Sequence, residues 1–318
     1  MQTMPQSISN TVKDLARKAG FTDCGIAPAR QLAEDARRLR SWLDNGMHAG
    51  MQYMENYFDK RVDPSKLVPG TKSVIVVLLN YFPEQFQNRE NYQIAKYAYG
   101  RDYHKVMKKM LKEFKALLVN EIGEFKSRGF VDSAPLLERA LAALAGLGWV
   151  GKNANLISPK HGSFVFIGEL LVDFELDYDI PLPDYCGGCQ KCIAACPTGA
   201  ITEPGVIDSN QCIPYWTIEH KGDIRESLRG KFENWIFGCD ICQEVCPWNR
   251  DARTTGVGDF LPRAAVTGLT LETAAALGPD DFDRVFEGTA IRRAGFERFH
   301  RSVERAIRNA PSKENESW

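Results

Sequence analysis

The chain lacks most of the features that would place it at a glance. No apolar run approaches the roughly 20 residues that a membrane-spanning helix needs; the longest, VIVVLL, occupies residues 74–79. Residues 1–20, MQTMPQSISNTVKDLARKAG, put no apolar stretch after the first charges, so a secretory leader finds no support. A cytoplasmic protein that does not engage a membrane is expected. Charge of one sign is not in excess, with 40 Lys and Arg against 41 Asp and Glu and five His. A polyanionic partner would have to be met by a local patch rather than by the field of the whole molecule. No Gly-x-Gly-x-x-Gly follows an apolar run, and neither a P-loop nor a His-Glu-x-x-His occurs. Dinucleotide binding of the Rossmann kind, Walker-type nucleotide chemistry and zincin hydrolysis are therefore unsupported.

What is present is cysteine, nine in 318 residues, all but Cys24 between positions 186 and 246. In a reducing compartment such a cluster points to metal rather than disulfides. Cys186, Cys189, Cys192 and Cys196, followed by Pro197, spell C-x2-C-x2-C-x3-C-P, the bacterial ferredoxin run. Three of its thiolates hold one cubane and the fourth reaches a neighbouring cluster, so one run predicts a second. Cys239, Cys242 and Cys246, again followed by Pro, supply it in altered form, with Cys212 upstream as the missing ligand. The crossed arrangement assigns Cys186, Cys189, Cys192 and Cys246 to one 4Fe-4S cluster and Cys196, Cys212, Cys239 and Cys242 to the other. Structural zinc is the competing reading of the C-x2-C pairs, disfavoured by the two C-x3-C-P endings. Cys24 is left over and reads as a small buried hydrophobe.

A composition that is 44% hydrophobic and 25% charged predicts ordinary folded domains, about two by length. Helices are expected from a Ser9 or Asn10 cap to Gly20, over 33–43, over 104–125, over 135–147 and over 292–309. Strands are expected at 74–79 and 164–171. The 104–125 helix carries Lys105, Lys108, Lys109, Lys112 and Lys115 opposite its apolar face, read as a solvated face with phosphate contact as the alternative. In the last helix Phe296, Phe299, Val303 and Ile307 share one side, six arginines the rest, and the final SKENESW reads as a disordered tail. The acidic, Pro-interrupted DYDIPLPD at 177–184 is a linker into the cysteine segment. Boundaries of 1–180, 181–255 and 256–318 follow.

Two further segments carry chemistry. Asp102-Tyr103-His104 begins like the D-x-H-x-x-G signature of His-ligated cobalamin but has Met107 in place of the Gly, and reads as a chance match. Asp132, before Ser133 and Pro135, stands in a helix-start context where a cap is the first reading and an acid catalyst the second. The Gly- and amide-rich GWVGKNAN at 148–155 nearby is able to approach a large planar ligand closely.

Taken together, VDSAPLLERALAALAGLGWVGKNANLI (131–157), YGRDYHKV (99–106), LVPGTKSVIVVLLNYFP (67–83), the cysteine run, CIPYWTIEH (212–220) and GCDICQEVCPWN (238–249) closely resemble the epoxyqueuosine reductase family. The resemblance, which extends to reductive dehalogenases, implies an α+β fold: a nitroreductase-like α/β cobalamin-binding domain, a two-cluster ferredoxin-like domain and a helical C-terminal segment. It also implies an oxidoreductase that reduces epoxyqueuosine at the tRNA wobble position to queuosine. Electrons would pass from an external donor through the two clusters to cobalamin, with Asp132 as proton donor, its pKa raised in a desolvated pocket. By motif position it implies cobalamin contacts from Arg61, Tyr99, Asp132, Asn153, Asn155 and Ser158 and from the turn at Cys239 and Asp240, with Lys152 as a further candidate. His220, Lys221 and the arginine-rich tail are candidates for tRNA contact. Family members that continue into HEAT-type repeats do so beyond about Ala310, so the short architecture, as a monomer, is expected. A dehalogenase-like cobalamin reductase and a ferredoxin-type electron carrier are the alternatives.

Overall fold

The structure, a computed structural model, describes residues 7–309; the SKENESW tail lies outside them. Helix α1 (Ile8–Lys18) leads into strand β1 (Asp23–Pro28), then helix α2 (Ala33–Asp44) and strand β2 (Ser73–Asn80). Helix α3 (Tyr103–Ile122), strand β3 (Ser127–Phe130), helix α4 (Glu138–Leu144) and strand β4 (Val165–Val172) complete the first half. The four strands form one antiparallel sheet in the order β1-β2-β4-β3, with Asp23 opposite Leu78, Ser73 opposite Val172 and Phe130 opposite Glu169.

The unbroken apolar run of β2 is explained by cover on both faces. Successive side chains of a strand point to opposite sides. Ile75, Val77 and Leu79 accordingly join one core with Val12, Phe114 and Leu118 of α1 and α3, while Val74, Val76 and Leu78 join another with Leu141 and Ala142 of α4. Gly25 is required where β1 passes the end of α4, because a Cβ there would lie 2.1 Å from the Ala145 carbonyl oxygen. Cys24 is buried in the first core as expected.

Several boundaries differ from the sequence reading. The α1 cap is Ser7, because Ser9 turns inward and its hydroxyl accepts the N–H of Asp177 at 2.7 Å. Helix α4 starts at Glu138 rather than 135, since tight turns consume the residues before it: Ser133 N–H donates to Val131 O and Leu136 N–H to Ala134 O. The C-terminal helix α5 (Phe296–Asn309) follows a separate turn at Ile291–Arg293, and Ile307 lies exposed rather than on the apolar side.

A third core joins Phe282, Phe286, Phe299 and Val303 to Tyr92, Ile94, Tyr99, Ile236 and Phe237. Residues Gln93–Ile94 pair in parallel with the short strand Trp235–Phe237, and α5 packs on that strand. Segment 92–99 is thus the seam between the sheet, the cysteine segment and the C-terminal helices.

The tail arginines are largely spent on that seam. Arg305 is buried over the Phe232 ring and donates to the carbonyls of Glu233 and Trp235; Arg301 donates to those of Trp216, His220 and Gly222. Replacing Arg305 by Met keeps the apolar stem but orphans two carbonyls. The expected cost is about 3 kcal/mol, read as a lower urea midpoint at unchanged slope; an unshifted midpoint would remove the structural role.

Candidate functional site

Asp132 sits at the tip of the turn between β3 and α4 in the left-handed region, φ 58°. Its carboxylate caps no helix. Oδ2 accepts the Tyr103 hydroxyl at 2.6 Å and lies 3.0 Å from His104 Nε2. Behind the imidazole, Asp102 Oδ1 lies 2.7 Å from Nδ1 and also caps α3 by accepting the His104 N–H at 3.1 Å. Both ring nitrogens of His104 thus have carboxylate neighbours. Tyr103 is held by a 4.2 Å stack on Phe166. Arg293 brings Nη1 to 2.6 and 2.7 Å from the two ring nitrogens.

The charges of this cluster oppose one another. Burial disfavours the imidazolium and Arg293 opposes it too, but the carboxylates of Asp102 and Asp132 prevail and His104 is shifted above its ordinary 6.5. For Asp132, desolvation raises the pKa, yet the contacts with His104 and Tyr103 outweigh it and the net shift is downward. This corrects the expectation of a raised Asp132. A side chain 55% exposed and held by two donors favours the carboxylate, so the proton resides on His104. Around Asp132, Glu138 is pushed up to about 8 by burial and then by the Asp132 charge, and burial also raises Glu169 and Glu219.

Four of the eight cysteines are brought together around one cavity. Cys186, Cys189, Cys192 and Cys246 line one cavity of about 280 Å³ with Ile157, Tyr185, Pro247, Trp248, Lys152 and Lys191. Burial and then the neighbouring thiols of the same group raise Cys246. Burial likewise lifts Cys212 to about 12 with Cys196 as its neighbour, and Cys242 responds to Cys212 and Cys196. Among the described residues no three ligating groups converge on a single ion. Four thiols around a roomy cavity fit a cluster.

The sites implied for cobalamin are distributed unevenly. Arg61 and Ser158 are buried, and Arg61 Nε and Ser158 Oγ have no hydrogen-bond partner among the described residues, unspent groups that a bound polar ligand would satisfy. Tyr99 is buried in the C-terminal core instead; Tyr97, half-buried, stands edge-on to Tyr103 at 6.1 Å and packs with Cys239 against a neighbouring core. Asn153 donates to the Cys242 carbonyl at 3.3 Å and accepts from Asn155 N–H, bracing the 148–155 loop against the second cluster's ligands. The Asp240 carboxylate accepts the Lys96 main-chain N–H at 2.8 Å in a buried ion pair, and its carbonyl accepts the N–H groups of Gln243 and Glu244, so neither is free for a ligand beside Cys239. Lys152 donates to Gly187 O at 2.6 Å and braces the first cysteine loop.

The surface residues also sort. His220 lies 3.1 Å from the Tyr215 hydroxyl, against Trp216, and burial followed by Arg301 lowers its pKa. Lys221 is exposed. Every tail arginine has a partner: Arg292 pairs with Asp283, Arg298 donates to Glu219 O and Arg308 reaches Glu304, in addition to those above. Lys105, Lys108, Lys109 and Lys112 are exposed, and Lys108 Nζ comes within 3.5 Å of Ser133 Oγ beside Asp132. No helix among the described residues is long and apolar enough to cross a membrane.

Comparison with known proteins agrees with this geometry. Residues 61–133 match the family model described as epoxyqueuosine reductase QueG, DUF1730, and residues 185–249 match a 4Fe-4S double cluster binding domain. An epoxyqueuosine reductase of Cellulophaga algicola is 48% identical over 296 residues, 93% of this chain and 97% of that protein. The crystal structure of an epoxyqueuosine reductase with an epoxyqueuosine-modified tRNA-Tyr stem loop superposes with a TM-score of 0.88 at 28% identity, covering 94% of this chain and 80% of that one. A Bacillus subtilis epoxyqueuosine reductase, with its catalytic aspartate loop swung out of the active site, gives 0.87 at 27% identity, covering 94% and 81%. On this similarity along nearly its whole length, the chain belongs to the epoxyqueuosine reductase family.

Proposed function

We propose that this protein reduces the epoxide of epoxyqueuosine in tRNA to the alkene of queuosine, with cobalamin and two 4Fe-4S clusters as cofactors and Asp132 as the proton donor. The observation that carries the reading is a half-exposed carboxylate backed by His104 and held by Tyr103, whose ring stands against Tyr97 beside the core that includes Cys239. When bound, cobalamin would supply a strongly reducing metal centre that takes up electrons from the clusters. Arg61 and Ser158, whose buried Nε and Oγ have no partner among the described residues, would hold it.

Reduction breaks both epoxide C–O bonds, consumes two electrons and two protons and releases the oxygen as water. Asp132 orients toward the leaving oxygen, and the proton stored on His104 reaches that oxygen through it. Asp102 fixes the imidazole so that Nε2 faces Asp132. Tyr103 holds the same carboxylate oxygen and limits its rotation. The exposed lysine row of α3, which begins beside Ser133, and Lys221 supply cations for tRNA phosphates. An external donor would deliver electrons at the cavity of Cys186, Cys189, Cys192 and Cys246.

The test is nucleoside mass spectrometry of epoxyqueuosine-containing tRNA after anaerobic incubation with reconstituted protein and a strong reductant. Loss of one oxygen only when cobalamin is supplied is the expected result. No conversion with iron and cobalamin both bound would overturn the substrate; no cobalamin binding at all would favour the electron-carrier reading.

A further inference from the structure

The C-terminal segment reaches the proton-donor pair at two points. Gly288 O accepts the main-chain N–H of Asp102 at 2.8 Å, which ties the turn after Phe286 to the cap of α3. Ala290, Ile291 and Ala294 are buried in the third core, so the short turn that carries Arg293 is fixed on both sides. From there the Arg293 side chain crosses to His104 and brings Nη1 to 2.6 Å from Nδ1 and 2.7 Å from Nε2. The outward directions of those nitrogens are already taken by Asp102 and Asp132. An atom so near to both cannot lie in the ring plane, where Cε1 stands between them, so the guanidinium lies over the imidazole face.

Charge alone would select a different partner. Two carboxylates flank the ring, and an arginine seeking an ion pair would take one of them, as the neighbouring Arg292 does with Asp283. Arg293 is exposed, and holding an exposed side chain in one geometry costs rotamer freedom. Its polar contacts are nevertheless with the ring. A fixed positive charge in contact with imidazole opposes a second positive charge on it. The groups that face His104 are Asp102, Tyr103 and Asp132, of which the two carboxylates favour the imidazolium and the Tyr103 hydroxyl donates to Asp132. Glu138 of α4 and Glu219 stand beside Asp132 and are both raised toward the neutral acid. Among the described residues Arg293 is thus the one cation in contact with the ring.

We infer that Arg293 is a positioning residue, held over His104 by the C-terminal segment so that the imidazolium gives up its proton to Asp132. The inference rests on Asp132 being the donor. In the step, the Nε2–H bond of His104 breaks and an O–H bond forms on Asp132 Oδ2 across their 3.0 Å contact. The ring left behind is neutral and no longer opposed by the guanidinium. A solvent proton, entering at the half-exposed carboxylate, recharges it once product has left. The C-terminal segment is thereby part of the site as well as the cover of the seam.

Arg293→Gln removes the charge, Arg293→Lys keeps it, and Asp132→Asn is the reference. In cluster-loaded, cobalamin-free protein with isotope-labelled histidine, the nuclear magnetic resonance signals of the His104 ring should titrate about one pH unit higher in R293Q than in wild type, the scale of one unit charge partly screened by water. In R293K they should stay close to wild type. In cobalamin-loaded enzyme R293Q should lower kcat for epoxyqueuosine tRNA about threefold, because the proton is held more tightly, and move the alkaline limb upward, with KM unchanged. A wild-type titration and pH profile in R293Q overturns the inference. So does a raised KM at unchanged kcat, which would make Arg293 a tRNA contact. Normal turnover by D132N would overturn the donor assignment instead, while the titration, which needs no turnover, still judges the Arg293 contact.

Discussion

Asp132→Asn is expected to lower turnover of epoxyqueuosine tRNA by about a thousandfold or more, within the range spanned by removal of a positioned general acid, while cobalamin and iron contents stay at wild-type levels. Asparagine preserves the shape and can still accept the Tyr103 hydroxyl, and Asn tolerates the left-handed backbone at this position. What it cannot do is pass a proton from His104. The pH dependence follows from the two shifts. His104, raised above its ordinary 6.5, carries the proton below its folded pKa and loses it as pH rises through that value. Asp132, lowered, keeps the ion pair intact above its ordinary range and loses it only as pH falls through its depressed pKa. Turnover therefore has an alkaline limb above 6.5 that D132N lacks. Near-wild-type conversion by D132N, measured by nucleoside mass spectrometry, would end the assignment.

The parts of the site that were legible in the sequence are those whose chemistry is local. Cysteine spacing encodes cluster geometry within a few residues, and the apolar run of β2 encodes burial on both faces. His104 was not legible. Its meaning depends on Asp132, 28 positions away, and on a turn that sequence alone reads as a helix start. Helix α4 begins six residues beyond Asp132 because the intervening backbone is consumed by tight turns, which frees the carboxylate for the cleft. The tail misled for the opposite reason. Arginines at helical spacing look like a phosphate-binding face, but a guanidinium satisfies main-chain carbonyls equally well, and Arg301 and Arg305 do that at the seam. Tyr99 and Tyr97 differ by two residues in a 3-10 turn, and only the packed core shows which of them stands beside Tyr103.

The crossed cysteine assignment yields the other large effect, and double substitution separates it from an uncrossed one. Each single change, Cys189→Ala, Cys196→Ala or Cys239→Ala, should abolish turnover by breaking the electron path, and each should lower the iron content from about eight to about four per chain. If Cys196 serves the cluster of Cys212, Cys239 and Cys242, then Cys196→Ala with Cys239→Ala costs no more iron than either alone. Cys196→Ala with Cys189→Ala would then remove both clusters. An uncrossed arrangement, with all four thiols of the first run on one cluster, gives the reverse. The crossed outcome is expected because Cys246, not Cys196, lines the first cavity with Cys186, Cys189 and Cys192. The physical reason lies in the two Cys-Pro turns. Each ends a short helix, Lys191–Ala195 or Ile241–Glu244, and these helices pack against one another. Cys246, at the end of one helix, is thereby carried to the loop preceding the other, and these residues would hold two clusters side by side for electron transfer.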